Sequence, residues 1–365
     1  MIPPDSGNSK IAPWTWLRDP NARLQGSGTL DSSKLQSPCI VRLNDGTYRL
    51  FYTAVGPARP FPACQGYILS ARSSDGLLFH PEPGIRLAPV PELSHMALRL
   101  IAPSVTPIPA SDEHRNSSTP RWRMYFEARG TADRPTVICS AVSADLLHWQ
   151  FEDGIRLQSA GGVGAPRYLP LNDGRGRLYC VQSEFSTGTP GEGVRISQSI
   201  ISAVTCDGLH FELEPGYRLK DRCSADDSMG ISAAEVLSPE ASGDCWRMFY
   251  SAWQDVPAGV QVPLHPSLNP AAVSSGQSDD FAAASIASDM AGYRSRIFQA
   301  VSFDGLNWER QQCIIQGDGY GDPGLDAVHA EDMSIVPIGN QRFRMYYAAC
   351  DASGNWRIAS AVNLP

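Results

Sequence analysis

Ser74-Asp75-Gly76-Leu77-Leu78-Phe79 is a short phrase that returns as Ala144-Asp145-Leu146-Leu147-His148-Trp149, Cys206-Asp207-Gly208-Leu209-His210-Phe211 and Phe303-Asp304-Gly305-Leu306-Asn307-Trp308. Asp-Gly between apolar runs signals a tight turn, because glycine reaches left-handed backbone angles without steric cost and aspartate caps the turn with its own side chain. In the first three copies a leucine follows the aromatic by eight positions, within Ile85-Arg86-Leu87, Ile155-Arg156-Leu157 and Tyr217-Arg218-Leu219. The phrase marks a turn and the opening of an outer strand.

A second phrase occurs five times: Tyr48-Arg49-Leu50-Phe51-Tyr52, Trp122-Arg123-Met124-Tyr125-Phe126, Arg177-Leu178-Tyr179-Cys180, Trp246-Arg247-Met248-Phe249-Tyr250 and Phe343-Arg344-Met345-Tyr346-Tyr347. Aromatic-rich runs of this length favour strands. A strand-like run precedes each, at Pro38 to Leu43, Pro103 to Ile108, Pro166 to Leu171, Glu235 to Pro239 and Met333 to Ile338. Each unit then reads as an inner strand, an aromatic strand, a third strand ending Ala-Val-Ser-like, the Asp-Gly turn and an outer strand. The last unit lacks its outer strand, and Trp16 to Leu24 supplies the same eight-residue spacing at the other end of the chain. A ring closed in this way leaves no exposed edge. The expectation is an all-β chain, a single five-bladed β-propeller over 1–365, closed by an N-terminal strand that completes the last blade. Its blades are approximately 37–87, 102–157, 165–219, 233–316 and 331–363 plus 14–26.

Composition agrees. Of 365 residues, 42% are hydrophobic and only 19% charged, while 32 glycines and 29 prolines point to many turns. The apolar content is ample for a large core. A net charge of −8 gives no drive towards phosphate backbones, so a nucleic-acid partner is not expected. No run approaches a membrane span, and Met1 to Lys10 lacks the pattern of a signal peptide, so a cytoplasmic location is expected. Nine cysteines with no CxxC spacing read as reduced thiols. Asn116-Ser117-Ser118 reads as a polar loop rather than a glycosylation site.

Strand direction sorts the loops. The long segments Pro57–Gly66, Ser186–Ile196, Asp255–Arg294, Ala88–Leu100, Asp221–Ile231 and Gly317–Val328 all fall on one face, as a ligand-binding rim would. The insertion at 255–294, with a helical pattern at Asp280–Met290, reads equally as a lid or as a loose insertion. Inner-strand starts bring Arg99, Ser104, Arg167, Glu235, His329, Glu331 and Asp332 to this face, and aromatic-strand ends bring Glu127, Arg129, Glu184, Trp253 and Asp255. A tryptophan among acids and arginines suits a polyhydroxylated or anionic small molecule, although a solvated or paired rim charge is the ordinary role of any one of them. The expected partner is a small-molecule ligand, with oligomeric state open.

With Asn-Asp-Gly ahead of Tyr-Arg-Leu-Phe-Tyr, the repeat resembles the five-bladed propeller glycosidases of the arabinanase, xylosidase and invertase clan. That resemblance implies three axial carboxylates. Ala330-Glu331-Asp332 is similar to the clan's acid phrase and puts Glu331 in the proton-donor position. Ser37, before Pro38, stands where the base belongs, and Ser104, after Ala102-Pro103, stands where an auxiliary aspartate belongs. Both serines are therefore expected to touch substrate rather than to act as acids. Glycoside hydrolysis needs two carboxyl groups, so a replacement pair is sought among Glu331, Glu235 and Asp332, with His329 as a proton shuttle or an ordinary hydrogen-bonded histidine. No metal or cofactor is expected: Asp318, Asp322 and Asp326 match no calcium-loop spacing. Three functions stay open: a sugar-acting hydrolase with a rearranged acid pair, a non-hydrolytic cyclase, lyase or group-transfer enzyme, and a non-catalytic binding propeller.

Overall fold

The computed structural model describes residues 11–32, 34–55, 65–109, 119–130, 134–187, 194–224, 227, 230–255, 293–316 and 324–364. The insertion at 256–292, Cys64, the Asn116-Ser117-Ser118 tripeptide, Asp318 and Asp322 lie outside them.

The described chain is all-β apart from one short helix, α1 (Pro239–Ser242). After β1 (Trp16–Arg18) and β2 (Leu24–Gln25), the strands follow in antiparallel groups. The first is β3 (Lys34–Arg42), β4 (Tyr48–Val55), β5 (Gly66–Ser73) and β6 (His80–Pro81). Next come β7 (Arg99–Pro107), β8 (Trp122–Arg129), β9 (Val137–Ser143), β10 (Gln150–Phe151) and β11 (Leu157–Gln158). They are followed by β12 (Val163–Pro170), β13 (Gly176–Thr187), β14 (Val194–Thr205), β15 (Glu212–Leu213) and β16 (Leu219–Lys220). Then come β17 (Gly230–Leu237), β18 (Trp246–Asp255), β19 (Tyr293–Ser302) and β20 (Glu309–Ile315). The last is β21 (His329–Gly339), β22 (Arg342–Cys350) and β23 (Trp356–Asn363), and here β1 and β2 supply the outer strand by pairing with β23.

Two expectations are corrected. The outer strands are not continuous: Pro83-Gly84, Asp153-Gly154, Pro215-Gly216 and Pro20-Asn21 break them, with the second residue of each pair at positive φ. The arginine that follows folds back onto the carbonyls of its own break, as Arg86 does on Pro83 and Gly84. Secondly, the expected loop Ser186–Ile196 is strand at both of its described ends, since β13 and β14 pair as far as Thr187↔Val194.

Adjacent groups are joined by a recurring aromatic contact. The tyrosine hydroxyls of Tyr346, Tyr125 and Tyr179 donate to the turn carbonyls of Gly76, Gly208 and Gly305 at 2.7, 2.8 and 3.0 Å. Within groups, an arginine of the second strand, a serine of the third and an acid of the outer strand form a buried triad: Arg49–Ser70–Glu82, Arg123–Ser140–Glu152, Arg177–Ser202–Glu214 and Arg344–Ser360–Asp19. The β17–β20 group departs from the rule. Gln299 and Gln311 replace the serine and the acid, and they bind the incoming N-terminal segment through Trp14 N–H and the Ile11 carbonyl.

Candidate active site

The inner strands β3, β7, β12, β17 and β21 each carry a register shift, and at each shift one residue takes a left-handed conformation: Ser37, Ala102, Ala165, Ala233 and Asp332, with φ between 46° and 52°. A bulge re-aims the side chains around it, and here the residues just beyond the five bulges link neighbouring inner strands. Two residues beyond each bulge lie Cys39, Ser104, Arg167, Glu235 and Ser334. Cys39 Sγ accepts from Val105 N–H (3.3 Å), Ser104 Oγ from Tyr168 N–H (3.0 Å), and Ser334 Oγ from Ile40 N–H (3.1 Å). Glu235 accepts from the Ile335 amide. Arg167, which has no acceptor to offer, reaches Glu235 Oε2 at 3.0 Å. The inner strands are thus tied side to side around the axis.

All five guanidinium donors of Arg167 are used. Besides Glu235, they reach the carbonyls of Pro103 and Pro166 from one nitrogen, and of Pro38 and Met333 from the other, at 2.8–3.1 Å. Arg167 therefore bonds to every inner strand, with no donor left for a substrate. Glu235 serves as its counter-charge. Burial pushes the Glu235 carboxyl up to about 7 against the pull of Arg167. Neither residue lines the axial cavity, where Glu235 was expected as a catalytic group and Arg167 as a substrate contact. Ser104 is committed to the Tyr168 amide and also lies outside the cavity lining.

Above this floor is a cavity of ≈ 70 Å³, room for about five water-sized positions. Glu127, Glu331 and Asp332 bring three carboxylates into it, beside Ser37, Gln36 and Trp253. Ser37 Oγ donates to Asp332 Oδ2 at 2.6 Å, across 295 residues of sequence, and Gln36 Nε2 lies 3.4 Å from the same oxygen. Trp253 Nε1 donates to Glu331 Oε2 at 3.3 Å. Glu127 Oε2 accepts the Ala165 bulge N–H at 3.0 Å. At the matching positions Thr53 and Ser251 hydroxyls accept from Ala102 and Asp332, while the other two repeats carry Val181 and Ala348 there, so Glu127 is the one carboxylate at this place in the repeat. Gly164 makes room for it, since a Cβ there would overlap the Glu127 carboxylate. Burial holds the Glu127 carboxyl up at about 7, aided by the charge of Asp332 and opposed by the Ala165 amide, Arg129 and Arg99.

The remaining expected residues stand further out. Arg99 and Arg129 are buried opposite one another in the β7–β8 register, behind Glu127. Desolvation and the Arg99 charge push Arg129 down to about 10. His329 is fully buried, its Nδ1 3.1 Å from Ser295 Oγ and its ring stacked on Trp356 at 5.1 Å, outside the cavity lining. Burial against an aromatic face makes it a packed core histidine rather than a shuttle in contact with substrate. Glu184 is exposed and bonds to Gln182 and Tyr217, away from the axis. The Asp255 side chain lies outside the described residues. Asp326 is buried and bound by Arg18 and Tyr347, and no metal-ligating cluster occurs among the described residues. Gln36, Gln198 and Ser232 line the cavity without having been singled out by sequence; nothing in their local sequence marks them.

No family model and no curated protein matches the chain. Solved structures do. A structure described as a glycoside hydrolase aligns at a TM-score of 0.65 and 13% identity, over 95% of this chain and 92% of that one. A thermostable family-43 glycoside hydrolase aligns at 0.56 and 14%, over 90% and 88%. A β-1,2-mannobiose phosphorylase from Listeria innocua aligns at 0.58 and 12%, over 90% and 89%. At these identities the likeness is one of fold. The chain has the propeller fold of glycoside hydrolases and phosphorylases.

Proposed function

We propose that the chain is a five-bladed propeller closed by its N-terminal strand, and that it cleaves a glycosidic bond of a neutral sugar by general acid/base chemistry in the axial pocket. The bulged inner strands, the hydrogen bonds that link them around the axis and the β1–β23 pairing support the ring. The observation that carries the chemistry is the environment of two cavity carboxyls. Glu127 is lifted to about 7 by burial, while Asp332 is held by the Ser37 hydroxyl. Carboxyls in such different surroundings divide into an acid and a base.

In this reading Glu127 gives its proton to the leaving glycosidic oxygen as the bond from the anomeric carbon breaks. Asp332 takes a proton from the water whose oxygen bonds to that carbon. Glu331, oriented by Trp253, stabilises the positive charge that builds on the ring. The carboxylate missing at position 37 is made good in space, because Asp332 arrives from β21 within hydrogen-bond reach of Ser37.

Water is favoured over phosphate as the acceptor, because the described lining carries three carboxylates and no cation. The test is to incubate the protein with aryl glycosides and short oligosaccharides, with and without inorganic phosphate, and to measure the sugar released. Release independent of phosphate and lost in Asp332→Asn is expected. A strict phosphate requirement would make it a phosphorylase, and release by Asp332→Asn at the wild-type rate would remove that base.

A further inference from the structure

Gln198 lies on β14, outside the inner strands, yet it lines the axial cavity. Its backbone is clamped by Asp221, whose carboxylate accepts from the Gln198 N–H and the Ser197 hydroxyl, both at 2.8 Å, and whose N–H donates to the Gln198 carbonyl at 2.9 Å. Position 230 on β17 is glycine, and a Cβ there would overlap Gln198 Oε1, so the amide passes through the gap that glycine leaves. Gln198 is 3% exposed, and its amide makes no hydrogen bond to a described residue. The side chain is aimed into the cavity, with Ser232, also in the lining, two positions beyond Gly230 on β17.

We infer that Gln198 is the specificity-determining residue of the pocket, its amide oxygen accepting from one ring hydroxyl of the sugar and its amide nitrogen donating to the neighbouring one. The inference rests on the sugar reading of the pocket. It names the substrate class further, as a neutral ring with two adjacent hydroxyls on the Gln198 side. Gly230 acts only by making room.

The test is calorimetric titration of wild type, Gln198→Ala and Gln198→Leu with the methyl glycosides of glucose, galactose, mannose, xylose and arabinose, and with monodeoxy derivatives of those that bind. Both variants are expected to keep the wild-type melting temperature and to bind the preferred glycoside about tenfold more weakly. They should no longer distinguish it from the two deoxy forms, lacking one or other of the adjacent hydroxyls, that wild type rejects. Unchanged affinity and deoxy selectivity in both variants would overturn the inference while leaving the sugar site standing. Loss of folding in both would make the amide structural and overturn it too. If wild type binds none of the glycosides, the sugar reading itself fails.

Discussion

Glu127 is a carboxylate at a position that the other repeats fill with Thr53, Val181, Ser251 and Ala348. Its counterparts Thr53 and Ser251 satisfy a bulge amide with a neutral hydroxyl, whereas Glu127 does so with a carboxyl that burial raises to about 7. As a general acid it must carry its proton, so kcat/KM should fall as pH rises through about 7. Glu127→Gln should lower turnover 10²–10⁴-fold and abolish that basic limb while the protein stays folded. A retained basic limb in the variant would assign the titration to another group. The sign for stability runs the same way: a carboxyl whose folded pKa lies above its unfolded value of 4.5 contributes stability below pH 4.5 that is lost as pH climbs through 7. Glu127→Gln should therefore be more stable than wild type at pH 8 and not at pH 4, as read by denaturant midpoints. Ser37→Ala removes a single hydrogen bond to Asp332 and should cost turnover without unfolding the chain.

The elements were the most legible part of the sequence. The Asp-Gly phrases are turns in which the aspartate Oδ1 accepts two successive amides, as Asp207 does from Leu209 and His210 at 2.8 Å. Leu146 holds the same place as Gly76 and Gly208, with φ 66° against 74°, because the surrounding turn and a buried side chain offset the backbone strain. The transfer of the last outer strand to the N-terminus was legible from the spacing Trp16 to Leu24, and β1 and β2 do pair with β23. The breaks in the outer strands were not foreseen, since Pro-Gly within a run was absorbed into the strand it interrupts. The N-terminal strand should matter to stability. Trp16 packs edge-on against Phe249 at 5.6 Å in a buried cluster, so Trp16→Ala should destabilise by about 3–5 kcal/mol, seen as an earlier denaturant midpoint.

At the scale of the whole molecule, proximity in the cavity comes from strands far apart in the chain and not from local sequence. Ser37 and Asp332 meet from opposite ends of the chain, and Gln198 reaches the cavity through a gap left by a glycine on another strand. Neither spacing nor composition encodes such meetings, which is why Ser37, Trp253, Glu331 and Asp332 could each be assigned to the site from sequence while the pairing of Ser37 with Asp332 and of Trp253 with Glu331 could not. The bonding of Arg167 was not legible for the same reason. An arginine near a pocket mouth reads as a ligand contact, whereas here it holds the inner strands together with five hydrogen bonds. Removing one partner of a buried pair leaves an uncompensated charge, so Arg167→Met should destabilise by about 3–5 kcal/mol. A double variant with Glu235→Gln should recover part of that loss.

The most direct test of the account is chromatographic detection of sugar released from a panel of oligosaccharides by wild type and by Glu127→Gln, at pH 6 and pH 8.5. The account predicts release by wild type that is faster at pH 6, and at most one-hundredth of that release by the variant. Equal release by the two proteins, or faster release by wild type at pH 8.5, would contradict the assignment of Glu127 as the acid.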